Sequence, residues 1–141
     1  MLKKVSYKNL MGEIIQELKV SVEKCLEIGI KRNRILIDPG IGFAKTAEQN
    51  LEIIRNLKQL QSLGYPVLVG PSRKSFIGKI TGKDVQDRSM GTAAAVALSI
   101  ASGAHIVRVH DVAAMRDVVL VADGIVNGSP HSFASQNKHG G

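Results

Sequence analysis

The sequence is poor in residues on which many small proteins depend. Its 141 residues include one cysteine, Cys25, and no tryptophan, and aromatic residues make up only 4%. A single cysteine excludes a disulfide within the chain, and its place in an apolar helical pattern favours a buried small side chain. We therefore expect a reducing compartment and a cytoplasmic location.

Long apolar runs are also missing. No stretch approaches the roughly 20 apolar residues that span a bilayer, and the segment 1–4 is not followed by the apolar core of a signal peptide. We expect no association with a membrane.

The charge is strongly positive, with a formal net charge of +7 and a pI near 9.8. The few aromatic side chains offer little for stacking on bases, and the basic residues are scattered, so we expect no binding to nucleic acid. A small anionic ligand or an ordinary solvated surface accounts for the charge. Hydrophobic residues at 44% and charged residues at 22% suit one soluble globular unit.

Helical patterns alternate with short apolar runs. Four helices are predicted. The first covers 9–28 and the third covers 90–101. The second runs from a capping box at Thr46 and Gln49 to Gly64, and the fourth runs from an expected cap at Asp111 to Val126. The run 35–37 is predicted to be a strand buried on both faces, the run 66–70 repeats this pattern, and the run 106–109 is predicted to be a third strand. The fold class is therefore α/β with about three parallel strands and four helices. We expect residues 1–126 to form this unit and residues 127–141 to be a mobile tail.

Polar clusters follow each predicted strand, where the loops of parallel α/β proteins bind ligands. The first begins at Asp38, whose carboxylate either forms the turn at Pro39 or accepts hydrogen bonds from an amino-heterocycle. Gly40 and Gly42 would let a flat ring approach the backbone. Phe43 is expected to pack locally.

The second and third clusters are basic. In the segment 72–75 we expect Lys74 to be an inward-facing donor and Ser75 an anion-binding hydroxyl at the start of a short helix, although a solvated loop is the alternative. Arg108 and His110 alternate along one strand and so share a face, where both could reach a pyrophosphate.

The segments DPGIGFAKT, GPSRKSFIGK and RVHDV, in this order and spacing, resemble those of the dihydropteroate synthases. The resemblance extends over about 9–126. It implies a (β/α) barrel of the TIM type, of which this chain is the C-terminal half, because a complete barrel takes about 250 residues. It also implies the joining of a 6-hydroxymethyl-dihydropterin pyrophosphate to p-aminobenzoate, giving dihydropteroate and pyrophosphate.

The same resemblance implies roles for single residues. Asp38 and Lys74 would hold the pterin, with Gly42 against its ring. Arg108 and His110 would hold the pyrophosphate, and Ser75 the carboxylate of p-aminobenzoate, while Phe43 and Arg73 would border that pocket. Mg²⁺ would be the cofactor, with its ligand outside this chain. Catalysis would then be placement and charge stabilisation.

Half a barrel leaves the inner face of its strands and two sheet edges uncovered, which favours association. We expect a homo-oligomer or association with the missing N-terminal half. Two other functions remain open, a pterin-binding methyltransferase domain and a non-catalytic half-barrel.

Overall fold

The computed structural model describes residues 9–128 as a repeating series of helices and short parallel strands. The elements are α1 (Leu10–Glu27), α2 (Ala47–Arg55), β1 (Leu68–Val69), α3 (Ser75–Thr81), α4 (Ser89–Ala101), β2 (Ile106–Val107) and α5 (Val112–Asn127), with 3₁₀ turns at Arg32–Arg34, Leu57–Leu63 and Val85–Asp87. The α/β prediction is confirmed at this level. The sequence predicts a mobile tail for 127–141. Asn127 is instead the last residue of α5, and the part of the predicted tail after residue 128 lies outside the described residues.

The parallel sheet is smaller than predicted. β1 and β2 pair in parallel, with Leu68 opposite Ile106, but the predicted strand 35–37 is reduced to one parallel bridge between Ile37 and Val67. The next ladder position of that strand is Pro39, which has no N–H to donate, so the pairing stops there. The order of the three segments across the sheet still follows the chain.

One face of the sheet is buried and the other is open. Ile37, Val67 and Val69 are buried in the main apolar cluster with α1 and α2, whereas Leu36 is 51% exposed and Ile106 is 38% exposed. The prediction that the strands are buried on both faces is therefore wrong for this chain. Nothing within residues 9–128 covers the face that carries Leu36 and Ile106.

Helix ends follow local chemistry. The predicted capping box of Thr46 and Gln49 is present at the start of α2. The single helix predicted up to Gly64 is interrupted at Asn56, whose side-chain N–H₂ donates to the Glu52 carbonyl oxygen and competes with the backbone pattern. A 3₁₀ turn completes the segment. No helix within 9–128 is long and apolar enough to cross a membrane.

The His105 side chain takes part in the hydrogen bonding between neighbouring strand segments. The Val67 N–H donates to Nδ1 of His105 at 3.0 Å, and the Val67 carbonyl oxygen accepts from the N–H groups of His105 and Ile106. The His105 side chain thus accepts the hydrogen bond of the Val67 N–H, and Val67 is fully buried.

We predict that His105→Leu lowers the free energy of unfolding by about 1–3 kcal/mol, because the buried Val67 N–H loses its acceptor. His105→Asn, whose Oδ1 can replace Nδ1, should lose clearly less. Urea unfolding at neutral pH measures both. Equal losses in the two variants would contradict this role for His105.

Candidate functional site

The ends of β1 and β2 form one cavity. Because the two strands are parallel and in register, the segments that follow them leave the sheet at the same edge. The cavity has a volume of about 370 Å³ and is lined by Gly70, Ser72, Lys74, Arg108, Val109 and His110. Three basic side chains thus line the same small space, as the alternation along the chain predicts for Arg108 and His110. An anion is the ligand that this charge favours.

Ser72 orients the imidazole of His110. The Ser72 side chain is buried, its Oγ accepts from the backbone N–H of His110 at 3.2 Å, and it lies 2.7 Å from Nδ1. The Ser72 hydroxyl therefore fixes the orientation of the His110 ring, and when Nδ1 accepts this bond the proton of the ring lies on Nε2, where it can be donated to a ligand.

Lys74 connects the cavity to the first cluster. Its Nζ lies 4.9 Å from the centroid of the Phe43 ring, and its Cδ lies 3.0 Å from the position that a Cβ on Gly42 would occupy. Gly42 also has a φ of +92°, a backbone conformation that favours glycine. Phe43 is 61% exposed. The Phe43 ring is thus open to solvent on one side and contacts the Lys74 side chain, a neighbour from the second cluster.

Asp38 begins a loop that is held by hydrogen bonds from its own residues and from α2. One of its carboxylate oxygens accepts from the N–H of Gly40 at 2.9 Å, so the turn-forming role is present. Asn50, which is buried, accepts from the N–H of Gly42 through Oδ1 at 2.7 Å and donates to the Thr46 carbonyl oxygen through Nδ2. Asn50 was not predicted as a site residue. The only sequence signal was an amide side chain inside an otherwise apolar helical stripe.

Lys45 closes the same loop. Its Nζ donates to the carbonyl oxygens of Gly40 at 3.0 Å and Phe43 at 3.1 Å. Burial lowers the pKa of Lys45, while the nearby carboxylates of Glu17 and Asp38 raise it by less. A half-buried ammonium thus holds the loop that carries Gly42 and Phe43.

Arg73 and Asp111 form an ion pair, with Nη2 and Oδ1 2.9 Å apart. Asp111 was expected to cap the last helix, but its side chain makes no capping hydrogen bond to α5. Asp111 does stand directly before α5, but the expected capping bond is not formed, and Oδ1 accepts from the Arg73 guanidinium instead. The predicted short helix is present as α3, and the exposed Ser75 is its first residue.

The potential metal ligands in the described part of the chain are not clustered. Residues 9–128 contain no group of three or more His, Cys, Asp or Glu side chains placed to hold a metal ion. The carboxylates nearest to the site clusters are already engaged, Asp38 by Gly40 and Asp111 by Arg73. These residues do not by themselves fit a Mg²⁺ centre.

The family model of the pterin binding enzymes matches residues 1–110. The chain belongs to this family. It is 51% identical over 120 residues to the dihydropteroate synthase of Synechocystis, covering 84% of this chain and 42% of that protein. It is 45% identical over 121 residues to the enzyme of Clostridium beijerinckii, covering 81% of this chain and 45% of that protein.

Solved structures give the same result. The dihydropteroate synthase of Xanthomonas albilineans in complex with 7,8-dihydropteroate superimposes with a TM-score of 0.84 at 36% identity, covering 89% of this chain and 49% of that one. The fold is therefore that of part of a pterin binding enzyme. The chain spans somewhat less than half the length of these two curated relatives.

Replacing Lys45 should change how stability depends on pH. Since the folded-state pKa of Lys45 lies below its ordinary value of 10.5, the unfolded chain holds this proton more tightly between the two values. The contribution of Lys45 to the free energy of unfolding therefore rises with pH between its folded-state pKa and 10.5, and it is constant at lower pH.

We predict that the free energy of unfolding of the wild type, minus that of Lys45→Met, rises as the pH is raised from neutral towards 10.5. Chemical unfolding at a series of pH values measures the difference, and the subtraction removes the other titrating groups. A difference that is flat or falls with pH would show that Lys45 is not desolvated in the folded protein.

Proposed function

We propose that this chain is the C-terminal half of a dihydropteroate synthase barrel. The reaction would join a 6-hydroxymethyl-dihydropterin pyrophosphate to p-aminobenzoate and release pyrophosphate. The observation that carries the proposal is the cavity lined by Lys74, Arg108 and His110, which offers cationic and N–H donors to an anion. Identity to dihydropteroate synthases over most of the chain supports the same assignment.

The pterin would lie between the first and second clusters. Asp38 would accept hydrogen bonds from the amino-substituted ring, and the exposed carboxylate has a second oxygen besides the one bonded to Gly40. Gly42 would let the ring approach the backbone, and Lys74, which lies against Gly42, would donate to a ring acceptor. This arrangement explains why the loop is fixed so firmly.

The pyrophosphate would lie in the cavity. Arg108 can form paired hydrogen bonds with phosphate oxygens, and His110, oriented by Ser72, can donate from Nε2. The p-aminobenzoate would lie beside the start of α3, where Ser75 would bind its carboxylate. Phe43, with its exposed ring, and Arg73 would border that pocket.

The chemistry is a substitution at the methylene carbon of the pterin. The bond between this carbon and the pyrophosphate oxygen breaks, and its electron pair leaves with the pyrophosphate. The amine nitrogen of p-aminobenzoate forms the new bond to the same carbon and loses a proton to solvent. Arg108, His110 and Lys74 contribute by stabilising the charge on the leaving group and by holding the two reactants in place.

The complete site would need more than residues 9–128. The open sheet face with Leu36 and Ile106 marks where further strands would pack, and no described residues form a Mg²⁺ centre. We propose that the N-terminal half of the barrel covers this face, brings the Mg²⁺ ligand and completes the pterin pocket. The assembly would be a homo-oligomer or an association of this chain with that N-terminal half.

We predict that inorganic pyrophosphate binds the wild type and that Arg108→Met weakens this binding by about ten- to a hundredfold, the loss expected for one charged hydrogen-bonding group. Isothermal titration calorimetry measures the affinity. Arg116→Met, on the exposed side of α5, is the matched control and should bind like the wild type. Equal weakening by both variants would indicate only a general effect of charge.

Activity requires a separate test. We expect pyrophosphate release from dihydropterin pyrophosphate, p-aminobenzoate and Mg²⁺ when this chain is combined with the N-terminal half of a dihydropteroate synthase, and loss of that release with Arg108→Met. Tight pyrophosphate binding without any turnover in the combined sample would instead favour the non-catalytic half-barrel. Tight binding of methyltetrahydrofolate that pyrophosphate does not affect would favour the methyltransferase alternative.

A further inference from the structure

The residue directly before Lys74 has an unusual backbone. Arg73 has a φ of +56°, in the left-handed region. A residue with a Cβ is strained in this conformation, so the conformation persists only where surrounding groups enforce it. At Arg73 the enforcing groups can be identified.

Two side chains from the segment after α3 hold the backbone of Arg73. Its N–H donates to Oγ1 of Thr92 at 3.0 Å, and its carbonyl oxygen accepts from Nη1 of Arg88 at 2.9 Å. Thr92 is only 1% exposed, so water does not compete for its hydroxyl. The backbone N–H and the carbonyl oxygen of Arg73 are thus both satisfied by side chains, and neither bond belongs to a helix or strand.

The two holding side chains are themselves fixed. Arg88 also donates from Nε to the Lys83 carbonyl oxygen at 3.1 Å, and its guanidinium carbon lies 2.6 Å from where a Cβ on Gly78 would be. Gly78 therefore admits the guanidinium against α3. Thr92 is placed by the first turn of α4. Arg88 and Thr92 form a rigid clasp around Arg73.

We propose that Arg88 and Thr92 are positioning residues that act through Arg73 on Lys74. The conformation of Arg73 sets the direction in which the chain enters Lys74, whose side chain lines the cavity and lies against Gly42. The same turn, closed by the Lys74 N–H donating to Pro71, leads into α3 at Ser75. The inference rests on the proposed function for the identity of the ligand, but the clasp is a property of the chain itself.

The first test removes the Thr92 hydroxyl, which accepts from the Arg73 N–H, and keeps the size of the side chain. We predict that Thr92→Val, which replaces the hydroxyl with a methyl group, weakens the binding of inorganic pyrophosphate by about tenfold, because Lys74 is no longer held in the cavity. Thr92→Ser keeps the hydroxyl and should bind within about twofold of the wild type. Ser99→Ala, which deletes another buried hydroxyl of α4 that bonds only to Ala95, is the matched control and should not weaken binding.

A double-mutant cycle separates positioning from general damage. Glycine adopts the left-handed conformation without strain, whereas alanine does not, and both remove the Arg73 side chain equally. Thr92→Val should therefore weaken pyrophosphate binding clearly in an Arg73→Ala background and much less in an Arg73→Gly background. Equal losses in the two backgrounds would overturn the proposal, since the hydroxyl would then not act through the conformation of Arg73.

Amide hydrogen exchange by NMR gives a readout that needs no ligand. Thr92→Val should speed exchange at Arg73 and Lys74, and Thr92→Ser and Ser99→Ala should not. If the wild type bound no pyrophosphate, the proposed function would fail while this result still supported the clasp. Unchanged exchange at Arg73 in Thr92→Val would overturn the clasp, whatever the binding data show.

Discussion

The site depends on the backbone pairing of Val67 and its neighbours with segments on both sides. The Ile37 N–H donates to Pro66 and the Leu68 N–H donates to Ile37, while the Val67 carbonyl oxygen accepts from His105. These few bonds fix the register of three segments that are separated by roughly 30 residues of helix and turn. Every polar cluster described above begins within a few residues of them. A shift of register by one residue would send the alternating side chains to the opposite face of the sheet.

Much of this arrangement could be predicted from the sequence. Apolar spacing gave the helices, the capping box at Thr46 and Gln49 marked the start of α2, and short branched runs marked the strands. Since parallel strands end at one edge, the sequence also predicted that Lys74, Arg108 and His110 would face a common space. The helices and strands follow from local patterns in one sequence. Their common site follows from the rule that ligands bind at the carboxyl ends of parallel strands.

The contacts that refine the site could not be predicted in the same way. The pairs Ser72 with His110 and Arg73 with Asp111 each join residues 38 positions apart, and the Thr92 bond to Arg73 spans 19. Whether a serine or a threonine meets a particular partner depends on packing that no local pattern encodes. Asp111 shows the result, because its position suits a helix cap but an arginine from another loop takes its carboxylate.

The site combines a rigid backbone with an open surface. Asn50, Lys45 and the clasp of Arg88 and Thr92 fix the loops, yet Leu36 and Ile106 leave one face of the sheet uncovered. Hydrogen bonds within these loops fix the spacing of the charged groups, which is the condition for binding an anion by preorganised donors. This is why the proposed function assigns anion binding to the described residues themselves.

An NMR titration of the isotope-labelled chain with inorganic pyrophosphate tests this central claim most directly. We expect amide signals from 70–75 and from 108–111 to move together and fit a single dissociation constant, because both segments line one cavity. Signals that move in only one of the two segments, or only at scattered surface lysines, would contradict it.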